Sequence, residues 1–147
     1  MSMVDVTAKP EIYREAKAKG AIKLKAETIR LIREGKVEKG DPFQVAKVAG
    51  ILAAKNTSSL IPLCHPLPLT GVEVELHIVD DSKVEVETTV KTRAQTGVEM
   101  EALAAAATAL LTVWDMTKQY EKDAQGQYPH TSIQELYVVS KVKERRV

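Results

Sequence analysis

In WDMTK, Asp115 and Lys118 stand three residues apart, so in a helix they share one face. A carboxylate beside an ammonium keeps it charged, as a proton donor or a partner for phosphate oxygens. The same spacing also describes an ordinary exposed ion pair worth only a few tenths of a kcal/mol. Trp114, the only tryptophan, and Met116 flank Asp115, so both sides of this part of the helix are expected to be covered. Upstream, TGVEME sets Glu99 and Glu101 around Met100. Glu101, Thr108 and Asp115 drift by only about 20° per seven positions along one stripe, yet Glu101 and Asp115 are roughly 21 Å apart along the axis. One subunit could hardly bring both to one reacting atom; a shared site needs a second chain.

A second cluster is LIPLCHPLPL, residues 60–69, which holds Pro62, Pro66 and Pro68, the only cysteine, Cys64, and His65. The prolines remove donors, fix φ and bias their predecessors toward extended conformations, so the segment reads as a stiff, extended strap. Adjacent side chains of an extended chain point to opposite faces, which argues against a local thiolate–imidazole dyad. One histidine without CxxC or HExxH elsewhere does not make a zinc site. Two readings stay open: a buried cysteine with a hydrogen-bonded histidine, or a strap holding His65 at a polar site. His77 falls in the polar register of a strand and reads as a surface residue.

Cations are scattered: Lys39 before GDP, Lys55 at a helix end, Arg14 and Lys17 near the start. Taken singly, each reads as solvated. With no GxxxxGK[ST] and no GxGxxG, a phosphate would be held by such cations and by helix termini.

The elements that position these groups follow from patterning. Residues 1–19 are polar and show no firm periodicity, which suggests a mobile arm. AIKLK, 21–25, suits a short strand, and 26–34 a helix ending at Gly35. Asp41, Pro42 and Gln44 mark the start of a helix by cap, first-turn proline and capping box. Val45, Val48, Ala49, Leu52 and Ala53 recur at helical spacing as its inward face, with Lys47 turned away. Alternating residues over 72–78 and 84–90, separated by Asp80, Asp81 and Ser82, predict a β-hairpin. Thr96 and Glu99 match a capping box opening a long helix to about Lys122, and 133–142 reads as a last strand. The order strand, helix, hairpin, helix, strand predicts an α+β ferredoxin-like sandwich, with helices packed on one face of an antiparallel sheet.

At 147 residues with a net charge of +1, the chain fits one domain over 1–147 and lacks the basic surplus of a nucleic-acid binder. One cysteine forms no intrachain disulfide and the start shows no secretory pattern, so the cytoplasm is expected. The alanine-rich run after Glu101 is broken by Thr108, Thr112 and Asp115 and does not read as membrane-spanning.

Five segments in one order, MVDVTAK (3–9), KGDPFQVAKVAGILAAK (39–55), LIPLCHPL (60–67), TGVEMEAL (96–103) and WDMTK (114–118), resemble the cyclic pyranopterin monophosphate synthase (MoaC) family. The resemblance implies a pyrophosphate-releasing, non-redox lyase of molybdenum cofactor biosynthesis. It would turn 3',8-cyclo-7,8-dihydroguanosine 5'-triphosphate into cyclic pyranopterin monophosphate. It further implies Asp115, Lys118 and Lys39 as catalytic residues, and Cys64, His65, Glu99, Met100 and Glu101 around the substrate. Arg14, Lys55 and Lys141 match basic positions suited to phosphates. No cofactor is implied, and Mg²⁺ alongside the triphosphate stays open. The implied assembly is a homohexamer, a trimer of dimers, with sites built from two subunits. The C-terminus departs from the family pattern: KVKERRV replaces a glycine- and lysine-containing tail, leaving Lys141, Lys143, Arg145 and Arg146 to supply its charge. Competing readings are a non-catalytic nucleotide- or pterin-binding module, and a scaffold that docks partners on the hairpin face of Glu73, Glu75, Glu85 and Glu87.

Overall fold

The computed structural model describes residues 1–144. Ile12, Arg14, Ala16, Ala18, Gly20 and Ile22 are buried while Tyr13, Glu15, Lys17 and Lys19 lie on the other face, a period of two that makes β1 (Ile12–Lys23) a strand. Residues 12–19 therefore belong to the middle of the sheet, a correction to the expected arm. Their buried face is Ile12, Arg14, Ala16 and Ala18, a short and mixed set that carries little hydrophobic signal, and hydrogen bonding to neighbours on both sides supplies the order instead. AIKLK is only the end of this strand and its exit.

Three helices follow: α1 (Ala26–Arg33), α2 (Pro42–Lys55) and the short α3 (Thr57–Leu60). Gly35, with φ 66°, closes α1 in the left-handed conformation that glycine adopts without strain. Asp41 caps α2 by accepting the Phe43 N–H at 2.9 Å, with Pro42 in the first turn. The inward face of α2 is rotated from the expected one. Ala46, Gly50, Ala53 and Ala54 are buried, whereas Val45, Val48 and Leu52 are exposed. Close approach to a neighbouring helix selects the small residues and turns the branched ones outward. Lys47 reaches Glu75 at 3.4 Å.

The hairpin is longer than patterning indicated. β2 (Leu69–Asp80) and β3 (Lys83–Ala94) are joined by a turn in which Asp80 accepts the Ser82 N–H at 2.8 Å and hydroxyl at 2.9 Å. The helix α4 (Glu99–Glu121) and strand β4 (Ser132–Glu144) complete the chain. All pairings are antiparallel in the order β2-β3-β1-β4, and α4 packs over β1 and β3 with α2 beside it. This is the expected ferredoxin-like α+β sandwich. Among the described residues no helix is long and apolar enough to cross a membrane.

The core joins Ala16, Ala18 and Ile22 of β1 and Val84, Val86 and Val90 of β3 to Ala102, Ala105, Ala106, Ala109, Leu110 and Val113 of α4. A methyl group on Gly50 would lie 3.0 Å from Val74 Cγ2 and 3.1 Å from the Ala105 carbonyl oxygen, which shows how tightly α2 is pressed between β2 and α4. At the C-terminal end of α4, Glu121 is 1% exposed and accepts from the Lys25 N–H at 3.0 Å, the Thr131 hydroxyl at 2.7 Å and the Thr28 hydroxyl. One carboxylate thus ties the start of α1 and the approach to β4 to the end of α4. Replacing it strands three buried or half-buried donors. We expect Glu121→Ala to lower the unfolding free energy by about 3 kcal/mol, read as a lower denaturant midpoint at unchanged slope.

Candidate functional site

The two ends of α4 carry different chemistry. Near its C-terminal end, Asp115 is 59% exposed and stands between two ammonium groups: Lys118 Nζ is 3.1 Å from Oδ1 and Lys39 Nζ is 3.3 Å from Oδ2. Lys39 also donates to the Asp115 backbone carbonyl at 3.0 Å. The helical spacing supplies one lysine, and the loop between α1 and α2 supplies the other. The hydrogen bond from Lys118, then that from Lys39, and behind them both charges, hold the Asp115 carboxyl below its ordinary range. Trp114 and Met116 cover the flanks as expected: Trp114 meets the Tyr128 ring edge-on with centroids 5.2 Å apart, and Met116 is buried. The arrangement suits proton transfer beside an anionic ligand.

The N-terminal end of α4 faces a cavity of about 340 Å³ whose walls include Cys64, His65, Glu99, Met100 and Glu101, together with Val4, Val6 and Lys9. The Pro-rich segment turns at Ile61–Cys64, where the Cys64 N–H donates to the Ile61 carbonyl at 3.1 Å, before running without regular structure into β2. Only its second half is the strap that was expected. His65 is half-buried, and its Nε2 pairs with the Val4 carbonyl at 2.7 Å, seating residues 3–7 against it. Burial, with the Glu101 carboxylate behind it, pushes the Cys64 thiol up, which suits a wall residue better than a nucleophile.

Glu99 and Glu101 are driven apart. The capping box expected of Thr96 and Glu99 is absent: the helix opens at Val98 without a side-chain cap, and Glu99 instead meets Lys141 at 2.8 Å. A full positive charge outcompetes a neutral backbone donor for that carboxylate. Burial pushes Glu99 up, but the Lys141 hydrogen bond, its own backbone N–H and the charges of Lys141 and Arg14 outweigh this and leave it below the ordinary range. Glu101, 4% exposed, is pushed up by burial; its own backbone N–H opposes this and the charge of Glu99 adds to it. Carboxyls split in this way can serve as one anion and one acid.

The remaining expected residues do not all converge. Arg14 is 6% exposed and donates to the Ala94 carbonyl at 3.0 Å and the Gln95 carbonyl at 3.3 Å, which commits part of its guanidinium inward. Lys55 is exposed at the last position of α2, Lys17 pairs loosely with Glu87 at 3.9 Å, and His77 sits on the outer face 3.4 Å from Glu85. Lys143 lies in β4, and Arg145 and Arg146 fall outside the described residues. Lys9 and Val4 were given no site role by sequence reading, since only the fold brings residues 3–9 onto the strap. A roomier cavity of about 490 Å³, lined by Ile32, Val37, Phe43 and Ile78 among others, contains none of the expected site residues. Among the described residues, no three or more His, Cys, Asp or Glu are grouped to hold a metal ion.

The chain is similar to known proteins over almost its whole length. Residues 3–144 match the model of the MoaC family. A probable cyclic pyranopterin monophosphate synthase of Pyrococcus furiosus is 56% identical over 146 residues, covering 99% of this chain and 93% of that protein. The like-named protein of Sulfolobus acidocaldarius is 54% identical over 141 residues, 96% of this chain and 98% of the other. That of Pyrococcus horikoshii is 52% identical over 143 residues, 97% and 89% respectively.

The split carboxyls give a pH signature. A carboxyl raised in the folded state adds stability below its unfolded pKa and loses it as pH rises through the folded value. Glu101→Gln, which keeps the neutral form, should therefore gain on the parent as pH increases from about 4 toward neutrality. Unfolding midpoints measured at a series of pH values check this; a difference that stays flat or shrinks would contradict it.

Proposed function

Because the chain belongs to the MoaC family, we propose that it converts 3',8-cyclo-7,8-dihydroguanosine 5'-triphosphate to cyclic pyranopterin monophosphate, releasing pyrophosphate, in molybdenum cofactor biosynthesis. Relatives more than half identical over nearly the full chain are named as synthases, and the chain is an enzyme of that kind rather than a passive binding module or a docking scaffold.

The observation that carries the catalytic reading is one carboxylate bracketed by two ammonium groups. The rearrangement has no net redox change. It closes a cyclic phosphate, expels pyrophosphate and rebuilds a purine-derived ring as a pterin, so it needs protons moved at the heterocycle and cations around the phosphates. In our reading Lys118 donates and Asp115 orients it, while Lys39 must leave Asp115 and give up its own proton before it takes one from substrate. Cys64, His65 and Met100 wall the heterocycle, while Glu99, lowered by its hydrogen bonds and cations, favours the role of acceptor and Glu101, raised by burial, favours the role of donor. Arg14, Lys55 and Lys141 are the cations nearest in kind to the triphosphate's needs. Arg14 and Lys141 act there partly through Glu99, which both of them face. Any Mg²⁺ would travel with the triphosphate, and we place the reaction in the cytoplasm.

The separation of the two ends of α4 supports a site shared between subunits. An isologous dimer gives residue sets from opposite ends of one element a common place to meet, and three such dimers make the hexamer we propose. The exposed Val45, Val48, Leu52, Leu60 and Leu63 provide apolar surface for such contacts.

Lys39→Ala and Lys118→Ala should each lower turnover by at least about a hundredfold, the scale of lost acid–base help, while the proteins stay folded. Turnover is followed through pyrophosphate release; a near-normal rate in either removes that lysine from the mechanism. Mixing inactive Lys118→Ala with inactive Glu101→Ala subunits should restore about a quarter of the parental rate if sites are shared across a two-fold interface. No recovery in mixed oligomers would contradict the shared site.

A further inference from the structure

Lys39 lies on the loop between α1 and α2, which holds itself in place poorly. Gly35 and Gly40 have φ of 66° and 117°, Val37 is the only buried residue from 34 to 41, and Glu38, Lys39 and Gly40 are exposed. A turn closes where the Gly40 N–H donates to the Val37 carbonyl at 3.1 Å, and the Glu38 N–H takes no part in it. That N–H donates to the Tyr120 phenolic oxygen at 2.8 Å, while the Gln119 side-chain amide donates to the Glu38 carboxylate at 3.0 Å. Tyr120 is itself held from behind: Lys25 Nζ donates to its carbonyl at 3.1 Å, and the neighbouring Glu121 is the buried fastener already described. The residue before Lys39 is therefore pinned to the same helix end that presents Asp115 and Lys118.

A lysine carries its ammonium on a flexible four-carbon stem, so its reach is set by where the backbone is fixed. The contacts that Lys39 makes with Asp115 cannot fix it during turnover, because the ammonium must leave them to engage substrate. The Tyr120 and Gln119 contacts use no reacting group and survive that exchange. From this we infer that Tyr120, assisted by Gln119, is a positioning residue that sets the reach of Lys39 onto the Asp115–Lys118 pair. The inference rests on the proposed acid–base role of those three residues. Both contacts are exposed, so their loss should register in rate rather than in global stability.

The test uses the full-length chain and the cyclised GTP derivative under single-turnover conditions. It compares the parent, Tyr120→Phe, Gln119→Ala, Lys39→Ala and the Lys39→Ala/Tyr120→Phe double variant. Tyr120→Phe should lower the rate constant about tenfold, the expected scale of a misplaced reacting group, with substrate affinity changed less than about twofold. Its unfolding midpoint should be unchanged, while hydrogen exchange at the Glu38 amide accelerates. Gln119→Ala should show a smaller loss in the same direction. In the Lys39→Ala background, Tyr120→Phe should cause no further loss, because its effect passes through Lys39. A normal rate for Tyr120→Phe beside a crippled Lys39→Ala overturns the positioning role alone, and so does a tenfold loss that persists undiminished without Lys39. A near-normal Lys39→Ala instead overturns the acid–base reading of Lys39, and this inference falls with it.

Discussion

The close seating of α4 on the sheet is the constraint on which the rest of the molecule depends. Ala102, Ala105, Ala106 and Ala109 have no measurable exposure, and their small size lets the helix backbone lie down on β1 and β3 while α2 presses in from the side. Gly20 and Gly50 extend this on the facing elements: a methyl group on Gly20 would come within 2.9 Å of Leu110 Cδ1. In a core packed at crystal-like density, such contacts leave α4 little freedom to slide or roll. A rigid rod, rather than a loop, therefore carries the groups that do chemistry.

The two ends of that rod are held by different means. At the C-terminal end, Glu121 gathers donors from α1 and the approach to β4, and the loop bearing Lys39 docks on the adjacent Tyr120. At the N-terminal end, Lys141 of β4 meets Glu99, Arg14 of β1 adds its charge, and the buried Glu101 is left to the cavity. Electrostatic asymmetry follows from this layout. One end offers a carboxylate between two cations, the other a pair of carboxyls pushed in opposite directions, and the length of the helix keeps them from neutralising one another.

Much of this architecture was legible in the residues. The hairpin alternation, the Asp41–Pro42 helix start, the final strand and the overall order of elements all appear as read, because each rests on local periodicity or capping that neighbouring residues determine. The errors have a common origin in tertiary competition. Residues 12–19 carry only Ile12, Arg14, Ala16 and Ala18 on their buried face, so their signal is weak, yet two neighbouring strands complete their hydrogen bonding. The valines of α2 obey helical spacing but face outward, because the tightly packed side of the helix takes the small Ala46, Gly50, Ala53 and Ala54. Glu99 fits a capping box in sequence, yet a distant lysine claims it.

For the site, the sequence by itself determined the identities that carry the family likeness, and it set the Asp115–Lys118 pair, since three-residue spacing on a helix makes those side chains neighbours whatever surrounds them. It also fixed the distance problem between Glu101 and Asp115, because helical rise is independent of context. Only the tertiary structure decided that Lys39 reaches Asp115, that His65 holds the backbone at Val4, and that Glu101 rather than Glu99 is the buried, raised carboxyl. Those outcomes depend on long-range contacts and on burial. Both arise from how the elements stack, and no local pattern in the chain encodes them.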